Sequence, residues 1–148
     1  MVTRPATVSD SAAWLAMRED LWPGSKKSHA EDIKRYFAGE LREPLQVLLS
    51  FDELGAPAGF IELSIRAYAE GCVTDHVAFI EGWYVSPAMR GKGVGADLIR
   101  GAESWARSQG CVELGSDAEV DNLASAAAHL AVGFEEAGVV RCFRKLLC

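Results

Sequence analysis

The order of apolar and polar positions at the start of the chain predicts one short strand followed by two helices. Val2 to Ala6 can form the strand, and apolar side chains then recur at helical spacing from Ala13 to Leu21. The sequence from Ser28 to Glu31 has the pattern of a capping box, so a second helix should begin there. The apolar face of that helix would consist of Ile33, Phe37 and Leu41.

Three strands should follow, the first two as a hairpin. Leu45 to Phe51 is rich in β-forming residues, and turn residues separate it from a second such run, Phe60 to Ala67. A polar loop then leads into an apolar, aromatic stretch from Val77 to Val85, which should form the third strand. Within that stretch, Gly82 suggests a β-bulge that opens the sheet.

The rest of the chain alternates between helix and strand. After a glycine-rich turn comes a long helix that ends at Gly110 and whose apolar stripe is formed by Val94, Leu98, Ala102 and Trp105. A short strand from Cys111 to Gly115 and a helix from about Asn122 to Ala131 should follow. A last strand is predicted from Val139 to Leu147.

The predicted element order is β-α-α-β-β-β-α-β-α-β, which indicates an α+β (mixed α/β) protein. One mixed central β-sheet would be flanked by about four helices. A chain of 148 residues without repeats or linkers fits a single domain spanning residues 1–148.

Composition narrows the range of partners. The formal net charge of −6 argues against nucleic acid and is compatible with a cationic substrate, although an acidic surface also serves solubility. No apolar run is long enough to span a membrane, and no signal-peptide pattern is found. The four cysteines lack C-x-x-C spacing, so they should be buried or free thiols, and no set of residues has metal-ligand spacing. A cytoplasmic protein without a metal is therefore expected.

The turn between the third strand and the long helix is the richest in glycine. Because Gly91, Gly93 and Gly95 have no Cβ, several backbone N–H groups can point into one concavity at the positive end of the helix dipole. This arrangement suits a pyrophosphate. A P-loop is excluded because no Lys-Ser or Lys-Thr follows, and the glycine spacing differs from that of a dinucleotide fingerprint.

The motif Arg90-x-x-Gly93-x-Gly95, with an apolar strand before it and an amphipathic helix after it, resembles the acetyl-CoA pyrophosphate loop of the GNAT N-acetyltransferase superfamily. Within that superfamily the chain is similar to the aminoglycoside 6'-N-acetyltransferases. The similarity lies in the runs Glu81–Val85 and Ala102–Ala106, in Ser116-Asp117-Ala118 with Asp121-Asn122, and in His129-x-x-x-Gly133-Phe134-Glu135-Glu136.

This resemblance implies the GNAT fold, acetyl-CoA as co-substrate, an aminoglycoside as acceptor, and a homodimer. The backbone N–H of Val85 would support the oxyanion, and the loop from Arg90 to Ala96 would bind pyrophosphate. The residues expected to bind the cofactor are Tyr84, Val85, Arg90, Gly91, Lys92, Gly93, Val94, Gly95, Ala96 and Asn122. Arg90 and Lys92 could instead be solvated surface charges, and Asn122 could instead cap a helix.

Two carboxylates are candidates for chemistry on the acceptor side. Glu81 lies within an apolar run, where an unpaired charge is unfavourable; it could face the acceptor amine and relay its proton through water, or it could form a salt bridge with Arg66. Asp117 follows a short strand and could fix the substrate amine or cap a helix. By resemblance, the acceptor pocket would also include Trp22, Tyr68 and Glu136.

His129 is a departure from the superfamily pattern. Many members have a tyrosine at this place, four residues before Gly-Phe, as the general acid for the coenzyme A thiolate. Imidazole can also donate a proton near neutral pH, so His129 is a candidate for that role, with a spacer role as the alternative.

The leading hypothesis from the sequence is direct acetyl transfer to the 6'-amine of an aminoglycoside. The alternatives are acetylation of another polyamine or a protein amine, and an acyl-CoA-binding sensor without turnover. The candidate acids Glu81, Asp117 and Glu136 favour an enzyme, because a pure acyl-CoA binder has no need of acids in an acceptor cleft.

Overall fold

A mixed five-stranded sheet organises the chain, and the computed structural model describes every residue from Met1 to Cys148. The first four strands follow one another in chain order and pair antiparallel, whereas the fifth pairs parallel to the fourth. The strands are β1 (Val2–Pro5), β2 (Gln46–Phe51), β3 (Pro57–Arg66), β4 (Val77–Val85) and β5 (Leu114–Gly115). The predicted fold class, including the hairpin of β2 and β3, is confirmed.

Four α-helices flank the sheet: α1 (Ser11–Leu21), α2 (Lys26–Phe37), α3 (Val94–Ser108) and α4 (Leu123–Ala131). The predicted start of the second helix at the Ser28 capping box is wrong, because α2 already begins at Lys26. The N–H of His29 donates to the carbonyl of Ser25 over 2.8 Å, which is the bond of a first helical turn. Ser28 therefore lies inside the helix and does not cap it.

The two faces of the sheet pack against different helices. Alternation along β2 sends Leu48 to one face and its neighbours Val47 and Leu49 to the other. On the first face α3 packs closely, since a Cβ at Gly101 would lie 2.8 Å from a methyl of Leu48. On the other face lie α1 and α2, which contribute Trp14, Met17 and Ile33 to the second core.

A bulge interrupts β4 beside the predicted glycine. Glu62 is opposite Gly82 and Leu63 is opposite Ile80, so Glu81 has no partner in the β3 ladder. On its other side, β4 pairs with β5 only through Ala78 and Phe79. Beyond these residues the two parallel strands separate, and the end of β4 has no neighbouring strand on that side.

The predicted last strand, Val139 to Leu147, is wrong. This segment has no ladder partner within the chain, and its apolar side chains are exposed: Val139, Val140, Phe143, Leu146 and Leu147. The physical reason is that a β-forming sequence becomes a strand only where another strand accepts its hydrogen bonds.

Two further expectations can be compared directly with the structure. All four cysteines are free: Cys72, Cys111, Cys142 and Cys148. None of the helices has both the length and the apolar character needed to cross a membrane.

Candidate active site

The glycine-rich loop after β4 is anchored at both ends. At its start, the N–H of Ser86 donates to the carbonyl of Ala58 over 2.8 Å, and a short 3-10 turn, Pro87–Met89, follows. The Arg90 guanidinium then turns back, with Nε donating to the carbonyl of Val85 over 3.0 Å. Arg90 therefore closes the loop with one nitrogen, and both it and Lys92 are exposed.

The backbone of this loop has the properties of an anion site. Gly91 and Gly93 have φ values of +77° and +87°, a left-handed conformation that glycine adopts without strain. No N–H group from Gly91 to Ala96 has a hydrogen-bond acceptor within the chain. Because α3 begins at Val94, these donors coincide with the positive end of its dipole. The geometry fits a pyrophosphate.

Trp83 lies under the start of α3. A Cβ at Gly95 would lie 3.2 Å from the Trp83 ring, so the third glycine of the loop allows helix and indole to approach closely. The indole Nε1 is buried and has no acceptor within the protein. A buried N–H without a partner is rare in proteins, and here it leaves one donor unpaired beside the loop. The residues present are therefore compatible with acetyl-CoA.

His129, on α4, uses both of its ring nitrogens. Nδ1 lies 2.7 Å from the carbonyl of Ser125, which can only accept, so Nδ1 carries the proton. In the neutral ring, Nε2 then accepts from the Ser116 hydroxyl over 2.7 Å. The rings of Trp83 and Phe134 flank the imidazole edge-on, each at 5.1 Å between centroids. His129 is thus oriented beside the separated ends of β4 and β5.

The two candidates near the start of α4 differ in their contacts. Asn122 is the helix cap, since its side-chain oxygen accepts from the N–H of Ser125 over 3.1 Å. The capping alternative is therefore observed for Asn122, and its side-chain NH₂ group remains able to donate. Asp117 caps no helix; it is exposed just after β5.

Tyr84 and Val85 differ in where their side chains point. Tyr84 is buried in the core formed with α1 and α2, and its hydroxyl donates to Asp20. Burial and this carboxylate raise the pKa of Tyr84 to about 12. Only the backbone of Tyr84 can therefore face the loop, whereas Val85 packs against the core beneath α3.

Glu81 forms the ion pair with Arg66 that the sequence left open. Nε and Nη2 of Arg66 donate to Oε1 over 3.0 and 2.6 Å, and Nη2 also donates to Oε2 over 2.7 Å. The Ser64 hydroxyl donates to Oε1 over 2.8 Å. Glu81 lies two residues after Phe79, the partner of Ser64, so strand alternation places its side chain on the same face as Ser64 and Arg66.

Carboxylates other than Glu81 also act on Arg66 through their charge. Burial alone would lower the pKa of Arg66, but hydrogen bonding to Glu81 and the charges of Glu81, Glu43 and Asp117 together raise it. Asp117 lies two residues beyond Gly115, the partner of Phe79, and its charge acts on Arg66 without an ion pair between the two. The charge of Glu43 acts on Arg66 in the same way, and the sequence analysis did not include this residue.

Trp22 lies against the bulge from the α1 side. A Cβ at Gly82 would lie 2.6 Å from the Trp22 ring, so the glycine makes room for the indole next to Glu81. The carbonyl of Trp22 accepts from Nε2 of His29 over 2.8 Å. The Arg18 guanidinium lies 5.3 Å from the centroid of the Trp22 ring, so the ring is also held from the core side.

Below Trp22 is a buried ion pair. Arg18 donates to Glu62 through Nε and Nη2 over 2.7 and 2.9 Å, and its Nη1 lies 3.1 Å from Nδ1 of His29. Trp14 donates a further hydrogen bond to Glu62 over 3.0 Å. The Glu62 side chain is 1% exposed, so this network supports Trp22 from within the core.

The other two acceptor candidates lie farther out. Tyr68 is 68% exposed, and the nearby Glu70 carboxylate raises the pKa of its phenol. Glu136 is exposed in the C-terminal segment. The adjacent Ala137 crosses the loop that contains Tyr68, since a Cβ at Gly71 would lie 2.6 Å from that of Ala137. Neither side chain is hydrogen-bonded to Glu81 or Asp117.

The sequence analysis missed residues whose partners are distant in the chain. It considered Arg66 only as a neutralising partner, and it gave no role to Arg18 or His29. The available signal was an arginine within an apolar helix face and a glutamate within an apolar strand, each of which needs an opposite charge. No group of His, Cys, Asp or Glu side chains is arranged to hold a metal ion.

Comparison with known proteins agrees with this geometry. The model of the acetyltransferase (GNAT) family matches residues 14–134. The aminoglycoside N(6')-acetyltransferase type 1 of Klebsiella aerogenes is 49% identical over 147 residues, covering 99% of this chain and 97% of that protein.

Solved structures give the same result. The apo aminoglycoside 6'-N-acetyltransferase of Acinetobacter haemolyticus superposes with a TM-score of 0.90 at 37% identity, covering 99% of each chain. AAC(6')-Iy, in complex with the bisubstrate analogue CoA-S-monomethyl-acetylneamine, has a TM-score of 0.90 at 31% identity and covers 99% of this chain and 98% of that one. The chain belongs to the acetyltransferase (GNAT) family, among the aminoglycoside 6'-N-acetyltransferases.

Proposed function

We propose that the protein transfers the acetyl group of acetyl-CoA to the 6'-amine of aminoglycoside antibiotics by direct attack of the amine on the thioester, and thereby confers resistance. The observation that carries the proposal is the position of two complementary sites along β4. A loop of unpaired N–H groups follows the strand, Glu81 lies at its bulge, and Asp117 follows β5, the strand that pairs with it. Similarity to aminoglycoside 6'-N-acetyltransferases over nearly the whole chain supports the acceptor class.

On the cofactor side, the N–H groups from Gly91 to Ala96 bind the pyrophosphate, aided by the exposed charges of Arg90 and Lys92. The side-chain NH₂ of Asn122 is free to donate to the pantetheine arm while its oxygen caps α4. The backbone N–H of Val85, at the end of β4, supports the oxyanion that develops as the amine attacks.

On the acceptor side, the carboxylates hold a substrate with several ammonium groups through charge-assisted hydrogen bonds. Asp117 fixes the ring beside the reacting amine, and Glu81 receives that amine and passes its proton to water. Trp22 provides a flat wall. Tyr68 and Glu136 contact more distant parts of the substrate.

His129 supplies the proton that the departing thiolate needs. Its Nε2 is hydrogen-bonded to the Ser116 hydroxyl, so a protonated ring can pass the proton through that hydroxyl toward the cleft between β4 and β5. The contact of Nδ1 with the Ser125 carbonyl keeps the ring oriented throughout.

The remaining parts of the proposal concern the state of the protein. It acts as a single acetyltransferase domain and as a homodimer, in which the exposed apolar segment from Val139 to Leu147 pairs with the second copy. Four free cysteines are typical of a reducing compartment, so it acts in the cytoplasm. Light scattering on the purified protein would test the dimer, and a monomer at micromolar concentration would contradict it.

The function is tested by measuring coenzyme A release over a panel of amines. We expect rapid release with kanamycin-like aminoglycosides and no turnover with an analogue that has a hydroxyl in place of the 6'-amine. Mass spectrometry and NMR of the product should place the acetyl group on the 6'-nitrogen. An analogue acetylated as fast as its parent, or acetyl on another amine, would refute the regiochemistry. Release only with other polyamines or protein amines would refute the acceptor class.

A further inference from the structure

Arg66 places a positive charge inside an acidic cleft that is proposed to bind a cationic substrate. Its side chain has 34% of its area exposed, and the Glu81 side chain has 14%. The guanidinium lies over the Phe79 ring at 3.8 Å from the centroid, so aromatic stacking holds it in addition to the ion pair. A guanidinium held in this way cannot move aside freely when a polycationic acceptor enters.

The two oxygens of Glu81 accept different numbers of hydrogen bonds. Oε1 accepts from the Ser64 hydroxyl and from two nitrogens of Arg66, which exceeds its two lone pairs. Oε2 accepts one hydrogen bond, from Nη2 of Arg66. Oε2 therefore keeps a lone pair for one further donor, and Oε1 does not.

The backbone makes this arrangement directional. Ser64 and Arg66 lie two residues apart on β3 and so project from the same face, as does Glu81, which lies at the bulge two residues after the partner of Ser64. The carboxylate is thus held at one oxygen by a rigid strand and stays open at the other. Next to it, the indole of Trp22 fills the space above Gly82.

We infer that Arg66 is a positioning residue for the acceptor. It fixes the Glu81 carboxylate so that Oε2 alone is presented to the reacting amine, and it keeps Glu81 from turning toward other ammonium groups of the substrate. The inference rests on the proposed function, because it assigns Glu81 to the acceptor amine. It adds a specificity-determining residue that acts through Glu81 and need not touch the substrate.

The test is a double-mutant cycle in kcat/KM for an aminoglycoside. Arg66→Met should lower kcat/KM at least tenfold and leave the acetyl-CoA Kd unchanged. Arg66→Lys should recover only part of the loss, because an ammonium lacks the fork that bonds both oxygens. In a Glu81→Gln background, Arg66→Met should not lower kcat/KM further, because the Glu81 carboxylate through which Arg66 acts is already absent.

Ser64→Ala is the matched control, because it removes one donor to Oε1 and leaves Arg66 in place. It should lower kcat/KM less than Arg66→Met, and it provides a result even if Arg66→Met does not fold, as judged by thermal unfolding. Equal activity of Arg66→Met and wild type, or equal losses in the wild-type and Glu81→Gln backgrounds, would overturn the inference alone. A wild-type protein that acetylates no aminoglycoside would overturn both this inference and the proposed function.

Discussion

The cofactor loop and the acceptor cleft lie along the same strand and are built in opposite ways. The loop from Gly91 to Ala96 consists of backbone donors that have no acceptor within the chain. In the cleft, by contrast, the Glu81 carboxylate is already bonded to Arg66 and Ser64 before any ligand arrives. One site is completed by its ligand, and the other is largely formed without it.

This difference indicates how the two ligands are selected. Backbone N–H groups at a helix start attract an anion with little regard to the rest of the molecule, so the loop can bind a pyrophosphate strongly. A carboxylate held by neighbouring side chains, as Glu81 is, loses little conformational freedom on binding, so the cleft can discriminate among amines by position. The following changes test this contrast, starting with the largest expected effect.

Breaking the buried ion pair between Arg18 and Glu62 should have the largest effect on stability. Arg18→Met leaves Glu62 as a buried unpaired charge, so the free energy of unfolding should fall by about 3–5 kcal/mol. Denaturant unfolding at neutral pH measures this. The matched control, Arg18→Met with Glu62→Met, removes both charges and should recover much of the loss; a double variant as unstable as the single one would show that packing, not charge, is responsible.

Removing the proposed acid should affect turnover without weakening the cofactor site. His129→Ala is expected to lower kcat by roughly 100-fold, a typical contribution of general acid catalysis, with little change in acetyl-CoA affinity. Ser116→Ala should also lower kcat, because the proposed proton path runs through this hydroxyl. Steady-state kinetics at neutral pH provides the measurement, and a fully active His129→Ala protein would make the imidazole a packing residue.

A negative charge in the glycine-rich loop should weaken acetyl-CoA binding, by a smaller factor than the fall in kcat expected for His129→Ala. Gly93→Asp introduces a negative side chain at a φ of +87°, where pyrophosphate would approach, so acetyl-CoA affinity should fall roughly tenfold or more. Gly93→Asn is the matched control, since it imposes a similar backbone strain without the charge and should bind more tightly than the aspartate variant. Equal affinities of the two variants would exclude electrostatic repulsion as the cause.

The loop could be predicted from the sequence, whereas the full cleft could not, and the reason is the distance between interacting residues. The strand, the three glycines and the start of α3 are contiguous, so local pattern contains the information. Arg18 and Glu62 are 44 positions apart, and Arg66 and Glu81 are 15 apart. Such pairs depend on strand register and on the β4 bulge, which local periodicity constrains only in part.

The C-terminal segment shows that a local pattern can also predict an element that does not form. Val139 to Leu147 has the composition of a strand, and that property is local. Whether it forms a strand depends on an acceptor edge, and the two-residue β5 does not supply one within this chain. The start of α2 at Lys26 instead of Ser28 is a smaller error of the same kind, since a capping pattern is sufficient only where the chain actually enters a helix.

The central claim is that the loop and the cleft bind different ligands, and calorimetry on two variants tests it most directly. Acetyl-CoA and an aminoglycoside are titrated separately into Gly93→Asp and Asp117→Asn, with wild type as reference. Gly93→Asp should lose acetyl-CoA affinity and keep the aminoglycoside, and Asp117→Asn should do the reverse. If Asp117→Asn lost acetyl-CoA affinity while binding the aminoglycoside like wild type, the assignment of the two sites would be contradicted.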